Sequence, residues 1–440
     1  MAKTEAIDVP TKLGYRHYVL AVLVLGYVIN VLDRTIMGIL IQPIKVEFDL
    51  SDTQLGFLGG IAFAFFYATL GIPIAALADR TSRTKVLAGS MVLWSAMTAL
   101  CGFAIGFLSL LGARIGTAVG EAGGSPPSHS LIADYFPSLE RATALSIYAL
   151  GVPIGVSLGS LLGGWGSDTF GWRMTFILCG VPGILFGLLV MVTVKEPTRG
   201  SVDGTAVAAR AAKAAAPSIR EVLTFLWKKR SFRHLSLAAA LHSAVWYGGS
   251  TWNAPFFIRS HSMTAGEAGS WLALFAAIAT IGTLSGGILS DKLSIRFSDK
   301  RWYMWVPGIA TLVMVPFQFG AYLSPNMTIV APSFAVMVVL ASVFFGPSFA
   351  MTQGLVSLRM RAVAASVLLF VQTLIGLGMG PFITGIVSDY LEPQFGTESL
   401  RWAMVFIGLA NIWAATHYFL GARSLRQDLE STATLDSAES

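Results

Sequence analysis

Residues 141–168 read RATALSIYALGVPIGVSLGSLLGGWGSD, and residues 361–389 read RAVAASVLLFVQTLIGLGMGPFITGIVSD. The opening Arg141-Ala142-Thr143-Ala144-Leu145-Ser146 returns as Arg361-Ala362-Val363-Ala364-Ala365-Ser366, offset by 220 positions. Further along, Gly155, Gly159, Gly164, Ser167 and Asp168 return at an offset of 221 as Gly376, Gly380, Gly385, Ser388 and Asp389. Asp79-Arg80 has a counterpart in Asp291-Lys292. Chance similarity between Gly/Ala-rich helices is the competing explanation. It is weakened because the matches fall at equivalent places in the two halves of the chain.

What surrounds the repeat sets the environment of the fold. The chain has 440 residues, 54% of them hydrophobic and 12% charged. Soluble domains carry roughly 25% charged residues, and half that number cannot cover the surface of a water-soluble fold of this size. A soluble enzyme, a disordered chain and a nucleic-acid binder are excluded on this ground. A spanning helix needs about 20 apolar residues to cross roughly 30 Å of hydrocarbon. Twelve such runs lie near 18–42, 54–78, 86–106, 109–134, 142–165, 173–194, 234–258, 267–290, 303–323, 329–352, 362–388 and 401–421. The first run is too long for a signal-peptide core and reads as a retained span. Cys101 and Cys179 sit inside apolar runs, so neither a disulfide framework nor a zinc site is expected.

The polar stretch from Lys195 to Arg233 divides the runs six and six. The expected organisation is a cytoplasmic segment 1–16, a six-helix bundle 17–194, a cytoplasmic linker 195–231, a second six-helix bundle 232–422, and a disordered cytoplasmic tail 423–440. The fold class is all-α integral membrane, with twelve transmembrane helices in two pseudo-symmetric bundles. Each half holds an even number of spans, so the two copies keep one orientation about an axis along the membrane normal. Parallel halves with a substrate site between them are a transporter architecture.

Charge placement gives the sidedness. Of the 30 Lys and Arg residues, 24 fall in segments on the side of the termini. Four fall in the opposite loops (Lys45, Arg173, Arg259 and Arg401), and Arg34 and Arg114 lie inside spans. Such a skew predicts cytoplasmic termini and a multi-pass protein of the plasma (inner) membrane. The net charge of +6 is then topology, not a nucleic-acid surface. Within the linker, Ser218-x-x-Glu221 reads as a capping box. It opens a short helix with Val222, Leu223, Phe225, Leu226 and Trp227 against Arg220, Lys228, Lys229 and Arg230, which suits the anionic inner leaflet. A flexible tether with incidental charges is the alternative.

Ionisable groups inside spans are expensive and mark function. Asp33 and Arg34 lie in span 1, and Arg114 and Glu121 in span 4. Arg114 and Glu121 are seven residues apart, about two turns, and share a helix face. Asp33 and Arg34 diverge by about 100° and cannot approach one partner in the same way. A charge cluster bridging spans 1 and 4 follows, with Glu121 or Asp33 carrying a proton and Arg34 and Arg114 pairing with them or holding an anionic headgroup. Static ion pairs that fix helix packing are the alternative, and buried pairs are poor stabilisers. The small residues around Gly116-x-x-x-Gly120 permit close helix approach, and Pro126 and Pro127 are expected to bend span 4.

Asp79, Arg80 and Arg83, with Asp291 and Lys292 in the second copy, read as a cytoplasmic gate, because positive-inside loops need basic residues but not the aspartate. A solvated turn that only sets topology is the alternative. Tyr27, His129, His242, Trp246, Tyr247, Asn253, Phe345 and Phe349 fall on spans that can line a cavity, although such a stripe also serves as packing. At the 220 offset, Arg114 and Glu121 correspond to Phe334 and Ala341, so the second half lacks the charges.

Twelve spans in two parallel halves, with Asp79-Arg80 after span 2, resemble the major facilitator superfamily. In that family's loop motif a glycine stands four residues before the aspartate; Ala75 holds the place here, and Gly287 keeps it in the second copy. Within the superfamily, the first half resembles the spinster family of lysolipid and sphingolipid transporters. The resembling stretches are Asn30-x-x-Asp33-Arg34, Gly120-Glu121-Ala122, Leu131-Ile132-Ala133-Asp134-Tyr135-Phe136 and Lys195-Glu196-Pro197-x-Arg199-Gly200. The resemblance implies a lysophospholipid or sphingosine-1-phosphate-like substrate, and Asp33, Arg34, Arg114 and Glu121 as the functional group.

The expected function is secondary active transport by alternating access, proton-coupled, of a lysophospholipid or sphingolipid-like amphiphile. A proton-coupled drug exporter or organic-anion transporter on the same fold is the rival. A membrane-embedded lipid enzyme is disfavoured, because neither half offers a metal-ligand set. No phosphate-cradling Gly-x-x-x-x-Gly-Lys-Ser/Thr loop occurs, so ATP hydrolysis is not expected either. The expected partners are the lipid bilayer, an amphipathic lipid or organic anion, and protons. No cofactor, metal or nucleic acid is expected, and the expected state is a monomer.

Overall fold

The computed structural model describes residues 13–199 and 218–439. The expectations for residues 1–12, for the Ala-rich part of the linker within 200–217, and for Ser440 lie outside the described residues. Among the described residues every regular element is helical. The first half comprises α1 (Leu13–Phe48), α2 (Asp52–Gly59), α3 (Ile61–Arg80), α4 (Arg83–Cys101), α5 (Phe107–Glu121), α6 (Ser125–Tyr135), α7 (Ser138–Ala149) and α8 (Gly151–Thr193). A short α9 (Ile219–Lys228) precedes α10 (Arg230–His261), α11 (Ala265–Arg296), α12 (Trp302–Leu323), α13 (Met327–Ser342) and α14 (Phe345–Gly354). Then follow α15 (Arg361–Val371), α16 (Gly380–Phe395), α17 (Ser399–Gly408) and α18 (Ala410–Glu439). Each apolar run maps onto one helix or a short series of consecutive ones. The chain is an all-α membrane protein of twelve spans in two pseudo-symmetric six-helix bundles.

The breaks have local causes. Gly171 adopts φ 78° and ψ 162° inside α8 and separates two spans there; a side chain would make that backbone costly. Span 4 behaves differently from the expected proline bend. Its helix stops at Glu121, and Pro126 and Pro127 fall in the first turn of α6. Proline has no N–H to offer and fits a first turn, so the pair starts a new helix and bends none. Pro347, 220 positions after Pro127, stands in the first turn of α14 after a similar interruption.

Contacts divide the chain into two units. The first contains Met1–Phe48, Phe65–Ala215 and Thr264–Ala273; the second contains Asp49–Ala64, Ala216–Met263 and Leu274–Ser440. In the first unit, α1 and α4 pack along α8, and α4 also packs on α5. Its core joins Leu23, Met91, Trp94, Leu131, Ile132 and Tyr135. The α4–α5 approach depends on Gly120, where a Cβ would stand 2.5 Å from the Trp94 backbone nitrogen. Overpacking of this kind costs about 1–3 kcal/mol. Gly120→Ala is therefore expected to lower the thermal midpoint in detergent. Gly112→Ala, with nothing within 4 Å of the added carbon, should leave it unchanged or raise it. Equal midpoints for both variants would refute the tight crossing.

In the second unit, α10 and α12 pack on α18, and α2 packs on α16. Helix α9 starts as the capping motif predicts: the Ser218 hydroxyl accepts from Glu221 N at 3.1 Å. Its apolar face is divided. Val222 and Leu226 are buried in the core with Leu235, Met351, Leu355 and Leu425, while Leu223 and Trp227 remain exposed. The tail departs from the expected disorder, because α18 continues helical through Glu439. Polar residues hold it. Lys229 Nζ donates to Asp428 O at 2.8 Å and to the hydroxyls of Ser431 at 2.5 Å and Thr432 at 2.9 Å. Ser231 N and Oγ donate to the Asp428 carboxylate at 2.8 and 2.6 Å. Leu425 in the core and Leu429 packed against it anchor the start of the tail, and the hydrogen bonds of Lys229 and Ser231 add to that hold.

Candidate functional site

The span charges gather inside the first unit. Arg34 from α1 donates Nε and Nη2 to Glu121 Oε2 at 3.0 and 2.5 Å. Glu121 ends α5 and is 1% exposed. The Arg34 guanidinium also lies over the Tyr67 ring, 5.0 Å from its centroid. Asp33 turns elsewhere, as the rotation between neighbours requires. It is fully buried and accepts from the Thr98 hydroxyl of α4 at 3.3 Å. Arg114, 2% exposed, interacts electrostatically with Glu121, Arg34 and Asp33. All four charges thus share one neighbourhood. Glu121 pairs with Arg34 from α1 and also interacts electrostatically with Arg114, two turns away on its own helix. Removing one member of such a pair leaves a charge without its partner, which costs far more than the pair contributes as packing.

The aromatic candidates divide. Tyr27 stacks on Tyr148 at 4.6 Å, and the His129 ring meets Tyr148 edge-on at 5.3 Å. In the second unit, His242 is fully buried, with Nδ1 2.9 Å from Asn411 Oδ1 and Nε2 2.8 Å from Ala341 O. With both ring nitrogens engaged it is held as an interior residue. Trp246 and Tyr247 are half-buried, and Asn253 accepts from the Tyr322 hydroxyl at 3.1 Å. Phe345 is exposed and stacks on Phe349 at 5.6 Å. Phe334 and Ala341, the repeat equivalents of Arg114 and Glu121, are both buried.

The gate candidates also separate. Asp79 and Arg80 are exposed, whereas Arg83 is 2% exposed. The Arg83 guanidinium pairs with Asp134, donates to Glu196 at 2.7 Å, and reaches Ser130 Oγ at 3.0 Å and Pro197 O at 3.0 Å. Asp134 and Glu196 stand in motif stretches but look in sequence like ordinary loop charges. Asp291 accepts from the Tyr303 hydroxyl, and Lys292 is exposed. Nearby, Asp299 takes Arg301 and Arg426, each at 2.8 Å.

Burial pushes the Glu196 carboxyl up, but Thr84 N–H, Arg83 and the Ser82 hydroxyl outweigh it and hold it below its ordinary 4.5. A carboxyl lowered in the fold contributes stability above its unfolded value, and loses it as pH falls through the folded value. Thermal stability should therefore decline below about pH 4.5, and Glu196→Gln should flatten that acid limb. An acid limb unchanged in the variant would remove Glu196 from the explanation.

A second cluster was not legible as such. Arg259 donates to both oxygens of Asp52 at 2.6 and 2.8 Å, and the Ser388 hydroxyl donates to Asp52 at 2.6 Å. Asp389 accepts from the N–H groups of Asp52 and Thr53 at 2.9 and 2.8 Å. Asp168, its repeat mate, accepts from Ala265 and Gly266 at 3.1 and 2.8 Å. Each repeat copy thus ends on a carboxylate that caps a helix start, where anions are favoured. The available signal was the repeat, together with the scarcity of basic residues in the opposite loops. Of those four, Arg173, Arg259 and Arg401 are each held in an ion pair.

Residues 23–381 match the family profile described as Major Facilitator Superfamily. The chain is 30% identical to an "MFS-type efflux pump" of Mycolicibacterium smegmatis, over 93% of each sequence. It is 27% identical to a D-galactonate transporter of Escherichia coli, covering 94% of this chain and 98% of that one. Among solved structures, a bacterial homologue of the human lysosomal transporter Spinster, inward-facing and unoccupied, aligns with a TM-score of 0.86 at 34% identity. That alignment covers 94% of this chain and 98% of the other.

Proposed function

The chain belongs to the Major Facilitator Superfamily, and from that membership we propose proton-coupled transport, by alternating access, of a lysophospholipid or sphingolipid-like amphiphile. It is a multi-pass membrane transporter and not an enzyme. The observation that carries the finer reading is the Arg34–Glu121 pair, whose buried Glu121 lies beside the buried Asp33 and Arg114. Protonation of Glu121 removes the charge that holds Arg34 and frees the guanidinium for an anionic headgroup. Deprotonation restores the pair and expels the anion. Exchange between these states ties proton movement to substrate movement. Asp33 is the second acid able to take the proton. Asp79, Arg80, Arg83, Asp291 and Lys292 act in this reading as cytoplasmic gate residues, with both termini cytoplasmic in the inner membrane.

The test uses purified protein in liposomes with a labelled lysophospholipid, with and without an imposed pH gradient. Protein-dependent movement that responds to the gradient is expected. No protein-dependent movement under either condition would overturn the lipid reading. The similarity to a D-galactonate transporter favours a second reading, a small organic anion held by the same arginines. Uptake of labelled galactonate without lysophospholipid movement would select it.

A further inference from the structure

Glu121 offers its two carboxylate oxygens to different surroundings. Oε2 accepts both bonds from Arg34, whereas the buried Oε1 takes no direct hydrogen bond among the described residues. The Asn30 amide interacts with the Glu121 charge. Asn30 is 6% exposed, and its Nδ2 likewise has no direct partner among the described residues. It lines a cavity of about 10 Å³ inside the first unit, room for about one water, together with Trp94, Ser125, Ser128 and Tyr148. The Trp94 indole is 1% exposed, and its N–H is a second donor without a direct partner there. Donors buried this deeply cost free energy unless something accepts from them. The Tyr148 hydroxyl interacts with those of Ser125 and Ser128, so a run of hydroxyls continues the same pocket.

One kind of molecule matches this set. A water accepting from Asn30 Nδ2 and Trp94 Nε1, and donating to Glu121 Oε1 and a hydroxyl, has the two to four partners typical of a buried water. We propose that the pocket is a water site that relays a proton between Glu121 Oε1 and the hydroxyls of Ser125, Ser128 and Tyr148. The proton then travels through the interior of the first unit, while Oε2 and Arg34 serve the substrate anion. In each step an O–H bond breaks as the next oxygen takes the proton, and that oxygen passes on a proton of its own. No electrons are transferred. The charged groups facing Glu121 are Arg34 and Asp33 from α1 and Arg114 from its own helix; His129 borders the far end through Tyr148. Ser128 lies in the first turn of α6, beyond the break that follows Glu121, so the relay runs toward Tyr135.

The inference rests on Glu121 as the proton carrier, and the test separates the two claims. Trp94→Phe keeps the ring and removes the donor; Tyr148→Phe removes a hydroxyl. Each is placed in liposomes with labelled lysophosphatidylcholine, and gradient-driven uptake is compared with gradient-free counterflow. In detergent, the Glu121 carboxyl band, assigned through Glu121→Gln, is followed by infrared spectroscopy during transfer to deuterated water. Uptake slowed at least about a hundredfold, the lower end for a lost proton-transfer group, is expected with counterflow unchanged and carboxyl exchange slowed. Should one variant fail to fold, Ser128→Ala takes its place. Wild-type uptake and exchange rates in these variants, with uptake abolished in Glu121→Gln, would overturn the relay and leave the carrier intact. Gradient-driven uptake that survives in Glu121→Gln would overturn both.

Discussion

Glu121→Gln is expected to abolish the response to a pH gradient while leaving gradient-free exchange of a labelled lysophospholipid. Glutamine preserves the size of the side chain and can still accept from Arg34, but it can neither take up nor release a proton. One proton coupled to one substrate lets a gradient of one pH unit support about tenfold accumulation, since one unit is worth roughly 1.4 kcal/mol. In the variant that ratio should fall to one. Accumulation in liposomes at equilibrium is the measurement, because it reads the coupling itself and not a rate that any damage would lower. Persistence of the tenfold ratio would exclude Glu121 and make Asp33, the neighbouring buried acid, the candidate.

Arg83→Met is expected to produce the largest loss of folding stability. The guanidinium is buried and serves Asp134, Glu196, Ser130 Oγ and the Pro197 carbonyl together. Removing one partner of a fully buried ion pair costs about 3–5 kcal/mol. Glu196 is 30% exposed and Asp134 12%, so water relieves part of the penalty and a loss of roughly 2–3 kcal/mol is appropriate here. The thermal midpoint in detergent should fall accordingly. Adding Glu196→Gln to Arg83→Met should recover part of the loss, because the second change removes a carboxylate left without its cation. A single variant as stable as the parent would show that Arg83 acts only in the gate.

How far the sequence reached can be judged at particular residues. The runs, their number and their division at the linker were legible, because the cost of moving a residue into hydrocarbon is nearly a local property. The four charges of spans 1 and 4 stood out for the same reason. Their pairing did not. Spacing placed Arg114 and Glu121 on one face, but it did not show that Arg34 reaches across from α1 to Glu121 or that Asp33 turns to Thr98. The proline pair read as a bend in span 4, and the interruption at Glu121 makes it a helix start instead. His242 lay on a plausible cavity span, and only its contacts with Asn411 and Ala341 identify it as an interior residue.

The sequence by itself determined a membrane protein of two repeated halves, with its charges concentrated in the first. Composition, run length and self-similarity do not depend on which helices become neighbours. Only the tertiary structure decided which charge meets which, that Arg83 is buried while Asp79 and Arg80 are not, and that the polar tail is held as helix by Lys229 and Asp428. Partnership depends on the rotation and depth of two helices at once, and a one-dimensional pattern records each helix alone. The internal repeat shows the division most clearly. Asp168 and Asp389 were found as repeated letters, and the fold made each of them a cap on a helix from elsewhere in the chain.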